Sequence, residues 1–294
     1  MNDVKIGAVL LIVLLAAAAV AAEIYRETHH FRVTRYHVTS DKLSGIAREL
    51  RLLFLSDLHN WSYGEKNARL LKSIRDEKPD LILIGGDMIV GKEGVPCDTA
   101  REFVEQLPGI CPVIYGNGNH EQRMKEDTQT YGDTYARYKE CLEKSGVHFL
   151  ENAGIHVGLG EKELYICGLE LPFSSYWKFR KEAVTSGSIE ELIGFQQESY
   201  VILLAHNPAY MDAYLEWGAD MVLSGHLHGG LVRVPGIGGI VTPQGFLFPK
   251  YSGEMTQEGS QTVIVSRGLG THTLNIRLFN TPELISIRLG GTDR

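Results

Sequence analysis

Cysteine is scarce in this sequence, and the cysteines that occur are widely spaced. Only four of the 294 residues are cysteine, and no C-x-x-C pair occurs among them. This spacing excludes a zinc ribbon and a dithiol redox motif, because both require closely spaced thiols. We therefore expect buried free thiols at Cys97, Cys111, Cys141 and Cys167.

Long runs of positive charge are also absent. No basic run exceeds two residues, the formal net charge is −7, and the pI is about 5.9. A nucleic-acid-binding surface needs a basic stripe, so we expect no nucleic-acid partner. Hydrophobic residues make up 44% of the chain and charged residues 22%. These proportions, at this length, predict one large globular domain with a substantial core.

The first long feature of the chain is an uninterrupted apolar segment at residues 6–22. Its length is close to the roughly 20 residues that a membrane-spanning helix needs. We interpret residues 1–25 as an uncleaved, single-pass anchor in the cell membrane; the alternative is a signal peptide cleaved after the small residues at 20–22. The arginines that follow favour a cytoplasmic domain, but long domains can be translocated regardless of charge, so both membrane faces stay open.

Short apolar runs alternate with helical patterns in the rest of the chain. Runs suited to buried strands lie at residues 50–55, 81–84, 112–115, 201–205 and 221–223. Apolar residues at helical spacing occur at 65–78, 98–107, 133–144 and 190–195. This order predicts an α/β fold. Three successive strand candidates, at 147–150, 155–159 and 164–169, predict a second and more antiparallel sheet. We place a connecting strand or hairpin at 26–49 and the main domain at 50–294.

Five of the apolar runs are followed directly by polar residues that can bind a metal or move a proton. These residues are Asp57 and His59, then Asp87, then Asn119 and His120, then His206, and last His226 and His228. Ligands of open α/β sheets bind beyond the carboxyl ends of the strands, so residues that follow successive strands converge on one crevice. The recurrence therefore predicts a single site.

The donor atoms of this set are imidazole nitrogens and carboxylate or amide oxygens, without thiolate. Such donors suit Mn²⁺, Fe²⁺ or Zn²⁺. The His226-Leu227-His228 triplet carries further information, because alternate residues of an extended chain point the same way. We expect both histidines to face the site while Leu227 packs into the protein.

The ordered motifs resemble the complete set of the calcineurin-like metallophosphoesterases. They are Asp57-x-His59, Gly86-Asp87, Gly118-Asn119-His120-Glu121, His206 and Gly225-His226-x-His228, within a resemblance that covers residues 50–289. The resemblance implies a four-layer α/β/β/α sandwich with two divalent metal ions at the sheet ends. It implies that Asp57, His59 and His228 bind the first ion, that Asp87 bridges both, and that Asn119, His206 and His226 bind the second.

The same resemblance implies a reaction. A pair of cations clamps a phosphate oxygen and generates a bridging hydroxide that attacks phosphorus. His120, which is not itself a ligand in this scheme, would protonate the departing oxygen or stabilise the charge on it. Glu121 either orients His120 or is a solvated carboxylate in a turn.

The apolar N-terminal segment, the stretch GHLHGG at 225–230 and the tail at 266–283 are similar to the membrane-associated branch of this superfamily. That branch implies a phosphodiesterase whose phosphoester substrate is soluble, membrane-borne or lipid-linked; the alternative is a UDP-2,3-diacylglucosamine pyrophosphatase of lipid A synthesis. Leu227 and Leu231 depart from the Thr and Gln that are usual there. A non-catalytic metal-binding scaffold is the alternative of another class, although such relatives typically lose ligands or the proton donor, and here all are present.

Two further clusters bear on the substrate. Phe173, Tyr176, Trp177 and Phe179 alternate with Lys178, Arg180 and Lys181, and we hypothesise that this cluster contacts a lipid or a nucleotide base. The apolar loop at residues 246–249 is expected to pack in the core instead. Arg233 and Arg267 are candidates for phosphate contacts, with surface salt bridges as the alternative.

Overall fold

The computed structural model describes residues 2–159, 161–195, 198–230, 233–234, 238–271 and 276–293, so Leu231 lies outside the described residues. Within these ranges the helices are α1 (Asn2–His29), α2 (Ala68–Glu77), α3 (Asp98–Val104), α4 (Asn119–Glu126), α5 (Thr128–Tyr131), α6 (Thr134–Ser145), α7 (Ser186–Ile193) and α8 (Met211–Trp217). The strands are β1 (Arg32–Thr39), β2 (Leu50–Leu55), β3 (Leu81–Ile84), β4 (Val113–Gly116), β5 (Val147–Leu150), β6 (Ala153–Leu159), β7 (Lys162–Leu169), β8 (Tyr200–Ala205), β9 (Met221–Ser224), β10 (Arg233–Val234), β11 (Gly238–Gly239), β12 (Met255–Glu258), β13 (Gln261–Val265) and β14 (Glu283–Gly290).

Helix α1 contains the apolar N-terminal segment. The stretch Lys5–His29 is long and apolar enough to cross a membrane, and none of its most apolar part is buried in the protein. At 1.5 Å per residue its 25 residues would extend about 37 Å, more than the hydrocarbon core of a bilayer. A signal sequence near an N-terminus has the same length and composition.

The first sheet has six strands in the order β1-β14-β2-β3-β4-β5. Every neighbouring pair is parallel except β14 with β2. Strand β1 lies in the stretch expected to connect the anchor to the main domain, and it pairs along its whole length with β14.

The second sheet has the order β12-β13-β9-β8-β7-β6. Its central pairs are parallel, and antiparallel pairing is confined to its two edges, β6 with β7 and β12 with β13. The expected crossing into a second sheet is confirmed, but it occurs after β5 rather than before it. Strand β5 pairs with β4 and so completes the first sheet.

Three buried clusters separate four layers. Phe54 and Leu83 of the first sheet pack against Leu204 and Leu223 of the second. The face of the first sheet that points away from the second sheet packs against α2, α3 and α6. Outside the second sheet, a third cluster packs against α7 and α8. The four-layer α/β/β/α arrangement is therefore confirmed.

The layers place the carboxyl ends of β2, β3 and β4 beside those of β8 and β9. Parallel pairing aligns the ends within each sheet, and packing of the sheets face to face brings the two sets together. Contacts between the two sheets confirm the junction, since His226 N–H donates to Asp57 Oδ1 at 3.0 Å and His206 Nδ1 lies 2.6 Å from Gly85 O. The four cysteines are free thiols, buried at Cys97 and Cys167 and half-buried at Cys111 and Cys141.

Replacing Phe54 with alanine tests the core between the sheets. The ring is fully buried and lies against Gly85, which precedes the Gly86-Asp87 turn. We expect Phe54→Ala to lower the free energy of unfolding by about 3–5 kcal/mol, because a large cavity is left. Urea unfolding of the full chain in detergent measures the change. Leu192→Ala, at a partly exposed site on α7, is the matched control, and equal losses in both variants would contradict this account of the core.

Candidate metal centre

Most of the predicted metal ligands have a left-handed backbone conformation. Positive φ angles occur at Asp57 (56°), His59 (49°), Asp87 (54°), His226 (67°) and His228 (50°). Left-handed conformations are uncommon for residues other than glycine and cluster at functional sites. His226 and His228 therefore do not lie on an extended chain, and the prediction that they point the same way for that reason was wrong. They face the site from a tight turn, in which Leu227 is buried as expected.

Three groups of potential metal donors meet at this edge of the sheets. The groups are Asp57 with His59 and His228, then His59 with Asp87 and His120, and then Asp87 with His206 and His226. Within each group the donor atoms lie within 4.8 Å of one another, and every residue is buried. Asn119 begins α4 next to His120, and its buried Oδ1 has no hydrogen-bond partner within the described ranges.

Asp87 lies between the donor groups, and its two carboxylate oxygens have different surroundings. Oδ1 accepts a hydrogen bond from the backbone N–H of His120 at 2.8 Å. Oδ2 lies 3.1 Å from His206 Nε2 and 3.9 Å from Nε2 of both His59 and His120. One oxygen is therefore held by the start of α4, while the other faces imidazoles from both sides.

Asp57 is fixed from two directions. The Ser56 hydroxyl donates to its Oδ2 at 2.7 Å, and the His226 backbone N–H donates to its Oδ1 at 3.0 Å. Burial raises the pKa of Asp57 to about 6, with attraction from His206 opposing the rise and repulsion from Asp87 adding to it. Burial would likewise raise the pKa of Asp87, but attraction from His206 holds it well below its usual value.

The hydrogen bonding of His206 shows that the site fits a cation. Its Nδ1 lies 2.6 Å from the backbone carbonyl of Gly85, so Nδ1 carries the proton and Nε2 of the neutral ring presents a lone pair. That lone pair faces Asp87 Oδ2, and two lone pairs 3.1 Å apart repel unless a proton or a metal ion lies between them. Metal-binding histidines commonly donate their other ring N–H to a backbone carbonyl in this way.

The raised pKa of His206 likewise indicates that its surroundings favour a positive charge. Burial lowers the pKa of this ring, but the Asp87 carboxylate, Asp57 and the Gly85 hydrogen bond outweigh burial and raise it to about 10. A proton on Nε2 would thus take the place that a cation fills in a loaded site.

His59 and His228 form a second pair of facing donors. Their Nε2 atoms lie 3.0 Å apart, and His228 Nε2 is 3.4 Å from Asp57 Oδ1. Two nitrogens bound at about 2.1 Å to one tetrahedral ion would be separated by about 3.4 Å, which is close to this spacing. On its other side, His228 Nδ1 lies 3.3 Å from Nη2 of the buried Arg277.

His120 has a defined proton position. The backbone N–H of Gly91 donates to His120 Nδ1 at 2.8 Å. A backbone amide can only donate, so Nδ1 accepts and the proton of the neutral ring is on Nε2. The N–H bond of Nε2 is thus on the side of the ring nearer Asp87.

Glu121 has a role that the sequence did not reveal. Its carboxylate is fully buried and accepts hydrogen bonds from the backbone N–H groups of Asp87 (2.8 Å), Met88 (2.9 Å) and Gly118 (3.1 Å) and from the Tyr115 hydroxyl (2.7 Å). The interpretation as a solvated carboxylate was therefore wrong. Glu121 ties the Asp87 loop to the start of α4, and burial, with repulsion from Asp87, raises its pKa to about 7.

The residues proposed from sequence for substrate contact are only partly at the site. The Tyr176 ring lies 5.2 Å from the His226 ring, while Trp177 and Phe179 are exposed. Leu247 and Phe248 are 64% and 65% exposed, so the expectation of core packing for their loop was wrong. Arg233 pairs with Glu254, and Arg267 Nε donates to Gly253 O at 2.9 Å.

Comparison with known proteins agrees with the motif series. The sequence model of the calcineurin-like phosphoesterase family matches residues 50–230. Protein YpbG of Bacillus subtilis is 27% identical over 99% of both chains. A metallophosphoesterase of Aquifex aeolicus is 27% identical over 94% of this chain and 98% of its own. Phosphodiesterase YaeI of Escherichia coli is 24% identical over 90% of each chain.

Gly118 provides a test of the centre that does not depend on turnover. A Cβ at this position would overlap Asp87 Oδ1 and lie 2.5 Å from the backbone nitrogen of Asp87. We expect Gly118→Ala to displace the Asp87 carboxylate and weaken Mn²⁺ binding at least about tenfold, as seen when groups that orient metal ligands are lost. Isothermal titration with Mn²⁺ measures the affinity.

Gly109→Ala is the matched control for this test. Its Cβ would meet no atom within 4 Å, so Mn²⁺ affinity should be unchanged. Circular dichroism checks that both variants keep the fold. If Gly118→Ala, still folded, binds Mn²⁺ as tightly as the parent chain, Asp87 does not hold the metal.

Proposed function

We propose that this chain, which belongs to the calcineurin-like phosphoesterase family and is a metal-dependent phosphoester hydrolase, cleaves phosphodiesters at a centre of two divalent cations. The observation that carries the proposal is Asp87, whose Oδ2 faces His206 at 3.1 Å and His59 at 3.9 Å. A carboxylate between two donor groups can bind a cation on each side, whereas a neutral ligand there would leave the two positive charges uncompensated. The name of the relative YaeI supports a diester as substrate.

The donors divide into two sets in this proposal. Asp57, His59 and His228 hold the first cation, Asn119, His206 and His226 hold the second, and Asp87 bridges them. The buried Asn119 Oδ1, which has no described hydrogen-bond partner, gains one in the second set. Nitrogen and oxygen donors without thiolate favour Mn²⁺, Fe²⁺ or Zn²⁺.

When bound, the cations would supply Lewis-acid polarisation of the phosphate and activation of a water nucleophile. The protein's own contribution is the fixed orientation of the groups around them. Asp57 is held by Ser56 and by the His226 amide, and Asp87 by Glu121 and by the start of α4. Such preorganised groups need little rearrangement when charge develops during the reaction.

His120 is the proposed catalytic residue. With Nδ1 accepting from Gly91 N–H, the neutral ring offers Nε2–H to the reacting phosphate or to the departing oxygen. Protonation of Nδ1 would place two N–H groups against each other, so the Gly91 amide disfavours the imidazolium form. We therefore assign His120 as a neutral hydrogen-bond donor that stabilises charge on the departing oxygen, and this refines the proton-donor role implied by the resemblance.

A single-pass membrane location is part of the proposal, and the end of α1 supports it. Glu27 is buried and accepts hydrogen bonds from Asn280 N–H and the Thr281 hydroxyl, both at 2.7 Å. Cleavage after residues 20–22 would leave only a short helical stub, residues 23–29, to hold Glu27 in place. Isolated helices shorter than about 12–15 residues are marginal in water, so an uncleaved anchor is favoured.

A lipid-linked phosphoester is the substrate class that we favour. A cavity of about 320 Å³ has apolar Pro208, Met211, Leu227 and Phe246 in its wall, with the charged residues Lys181, Asp212 and Lys250 also lining it. Leu227 stands between His226 and His228 in the sequence, so the turn that carries these two histidines forms part of the cavity wall. UDP-2,3-diacylglucosamine pyrophosphatase activity is the second candidate of this class, and a lipid-linked pyrophosphate probe distinguishes it from a diesterase.

Replacing His120 tests catalysis. We expect His120→Ala to lower kcat for bis(p-nitrophenyl) phosphate with Mn²⁺ by about 10²–10⁴-fold, because charge on the leaving oxygen loses its donor. Mn²⁺ affinity should change little, since His120 is not one of the proposed ligands. Release of p-nitrophenol measures the rate, and titration calorimetry measures the affinity.

The matched control is His148→Ala, because His148 is exposed on β5, away from the strand ends that form the centre. Its rate should equal that of the parent chain. Turnover that is equal in the parent chain and in His120→Ala would refute the catalytic role. Tight Mn²⁺ binding without any turnover of phosphoesters would instead support the non-catalytic scaffold.

A further inference from the structure

The exposed apolar side chains of the main domain are concentrated on three loops. Outside α1, eight large apolar residues of the described ranges are at least partly exposed, and two of them, Leu192 and Phe195, lie on or next to α7. The other six form what we call the apolar rim: Trp177 and Phe179 on the first loop, Leu247 and Phe248 on the second, and Ile276 and Phe279 on the third. Clusters of exposed apolar side chains on a protein surface can mark interaction sites.

The three loops of the apolar rim surround the metal centre. The first loop reaches it through Tyr176, whose ring lies 5.2 Å from the ring of His226. The second loop packs on the first, because Gln244 Nε2 donates to Ser175 O at 2.9 Å and Phe179 N–H donates to Gln244 O at 3.0 Å. The third loop reaches the opposite side of the centre, where Asn280 Nδ2 donates to His228 O at 2.5 Å.

The end of α1 attaches to the same face. Glu27 accepts from the backbone N–H of Asn280, the residue that follows Phe279 of the apolar rim. Arg69 Nη2 donates to the carbonyl of His29 at 2.6 Å, so the last turn of the helix is held from a second side. If the apolar part of α1 lies in a bilayer, the helix end and Phe279 are therefore at nearly the same depth.

Basic side chains accompany the apolar ones. Lys178, Arg180 and Lys181 alternate with Trp177 and Phe179, and Lys250 follows the second loop. The guanidinium of Arg180 lies 5.1 Å from the centre of the Trp177 ring. Glu182 and Glu258 pair with Arg180 and Lys250, so the local surplus of positive charge is modest. Aromatic and basic residues together are typical of the membrane–water interface.

We propose that the apolar rim docks on the surface of the lipid bilayer that holds α1, so that the metal centre opens at the level of the lipid headgroups. The proposal rests on the membrane location of α1 and goes beyond it, because a flexible anchor alone would leave the orientation of the domain undefined. It restricts the favoured substrate to phosphoesters whose phosphate lies in the headgroup layer. Such substrates would reach the centre by lateral diffusion in the membrane.

Tryptophan quenching tests the docking directly. The full chain is placed in lipid nanodiscs of phosphatidylcholine and phosphatidylglycerol, with either normal or brominated acyl chains. In Phe248→Trp, we expect the added emission to be blue-shifted and at least about half quenched by bromine, because the indole ring enters the interface where tryptophan is enriched. In Trp177→Phe, the quenched part of the parent emission should fall.

Leu192→Trp is the matched control, since it adds a ring at an exposed apolar site on α7, outside the apolar rim. Its added emission should be unaffected by bromine. Equal quenching in Phe248→Trp and Leu192→Trp would overturn the proposal. An absence of quenching in Phe248→Trp would overturn it as well.

A second measurement links docking to turnover. The double variant Phe179→Ser/Phe248→Ser should hydrolyse bis(p-nitrophenyl) phosphate at the parent rate. On dioleoylglycerol p-nitrophenyl phosphate in nanodiscs its rate should fall at least about fivefold, because less apolar surface remains to bind the interface. Equal rates of the variant and the parent on the lipid probe would count against the proposal. The quenching result does not depend on turnover, so a chain that hydrolyses neither probe would refute the proposed function while leaving docking decided by fluorescence.

Discussion

Two carboxylates buried side by side are the constraint on which the rest of the structure depends. Asp57 and Asp87 lie at the ends of neighbouring parallel strands, where both are removed from water. Burial of an ionised carboxylate costs several kcal/mol unless positive charge or hydrogen bonds compensate. Burial raises the pKa of Asp57, whereas attraction from His206 outweighs burial and lowers the pKa of Asp87, so the imidazoles compensate the two carboxylates unequally. A pair of cations would compensate both carboxylates.

The loops that carry these donors have unfavourable backbone conformations. Five of the proposed ligands have left-handed φ angles, each at a cost of the order of 1–3 kcal/mol. Glu121 helps to hold one such turn, because its carboxylate accepts from the amides of Asp87, Met88 and Gly118. The strands below the loops provide the rest of the constraint, since both sheets present buried apolar faces that fix their positions. The site is thus strained locally and supported by the sandwich.

The sequence predicted the features that arise from local pattern. The runs at 50–55 and 81–84 became β2 and β3 with the same bounds, because short apolar runs that end in turn residues favour buried strands. The gathering of Asp57, Asp87, His206 and His228 also followed from strand order alone. Features that depend on tertiary contacts could not be predicted from the sequence. The placement of β5 in the first sheet, the role of Glu121 and the exposure of Phe248 are set by residues far away in the chain, and no local pattern encodes them.

Buried contacts around Arg277 connect the end of α1 to the donor groups. Arg277 is fully buried, and its guanidinium donates to the carbonyls of Arg267 at 2.7 Å and Asn280 at 3.1 Å while it lies beside His228. Burial lowers the pKa of Arg277, but the group keeps its charge because the shift starts from a value far above neutrality. Asn280 then joins this buried cation to Glu27 at the end of α1. Each group in this chain of contacts is desolvated, so loss of any one leaves its neighbour without a partner, at a cost of about 1–3 kcal/mol. The end of α1 is consequently linked, through Asn280, to the backbone of His228.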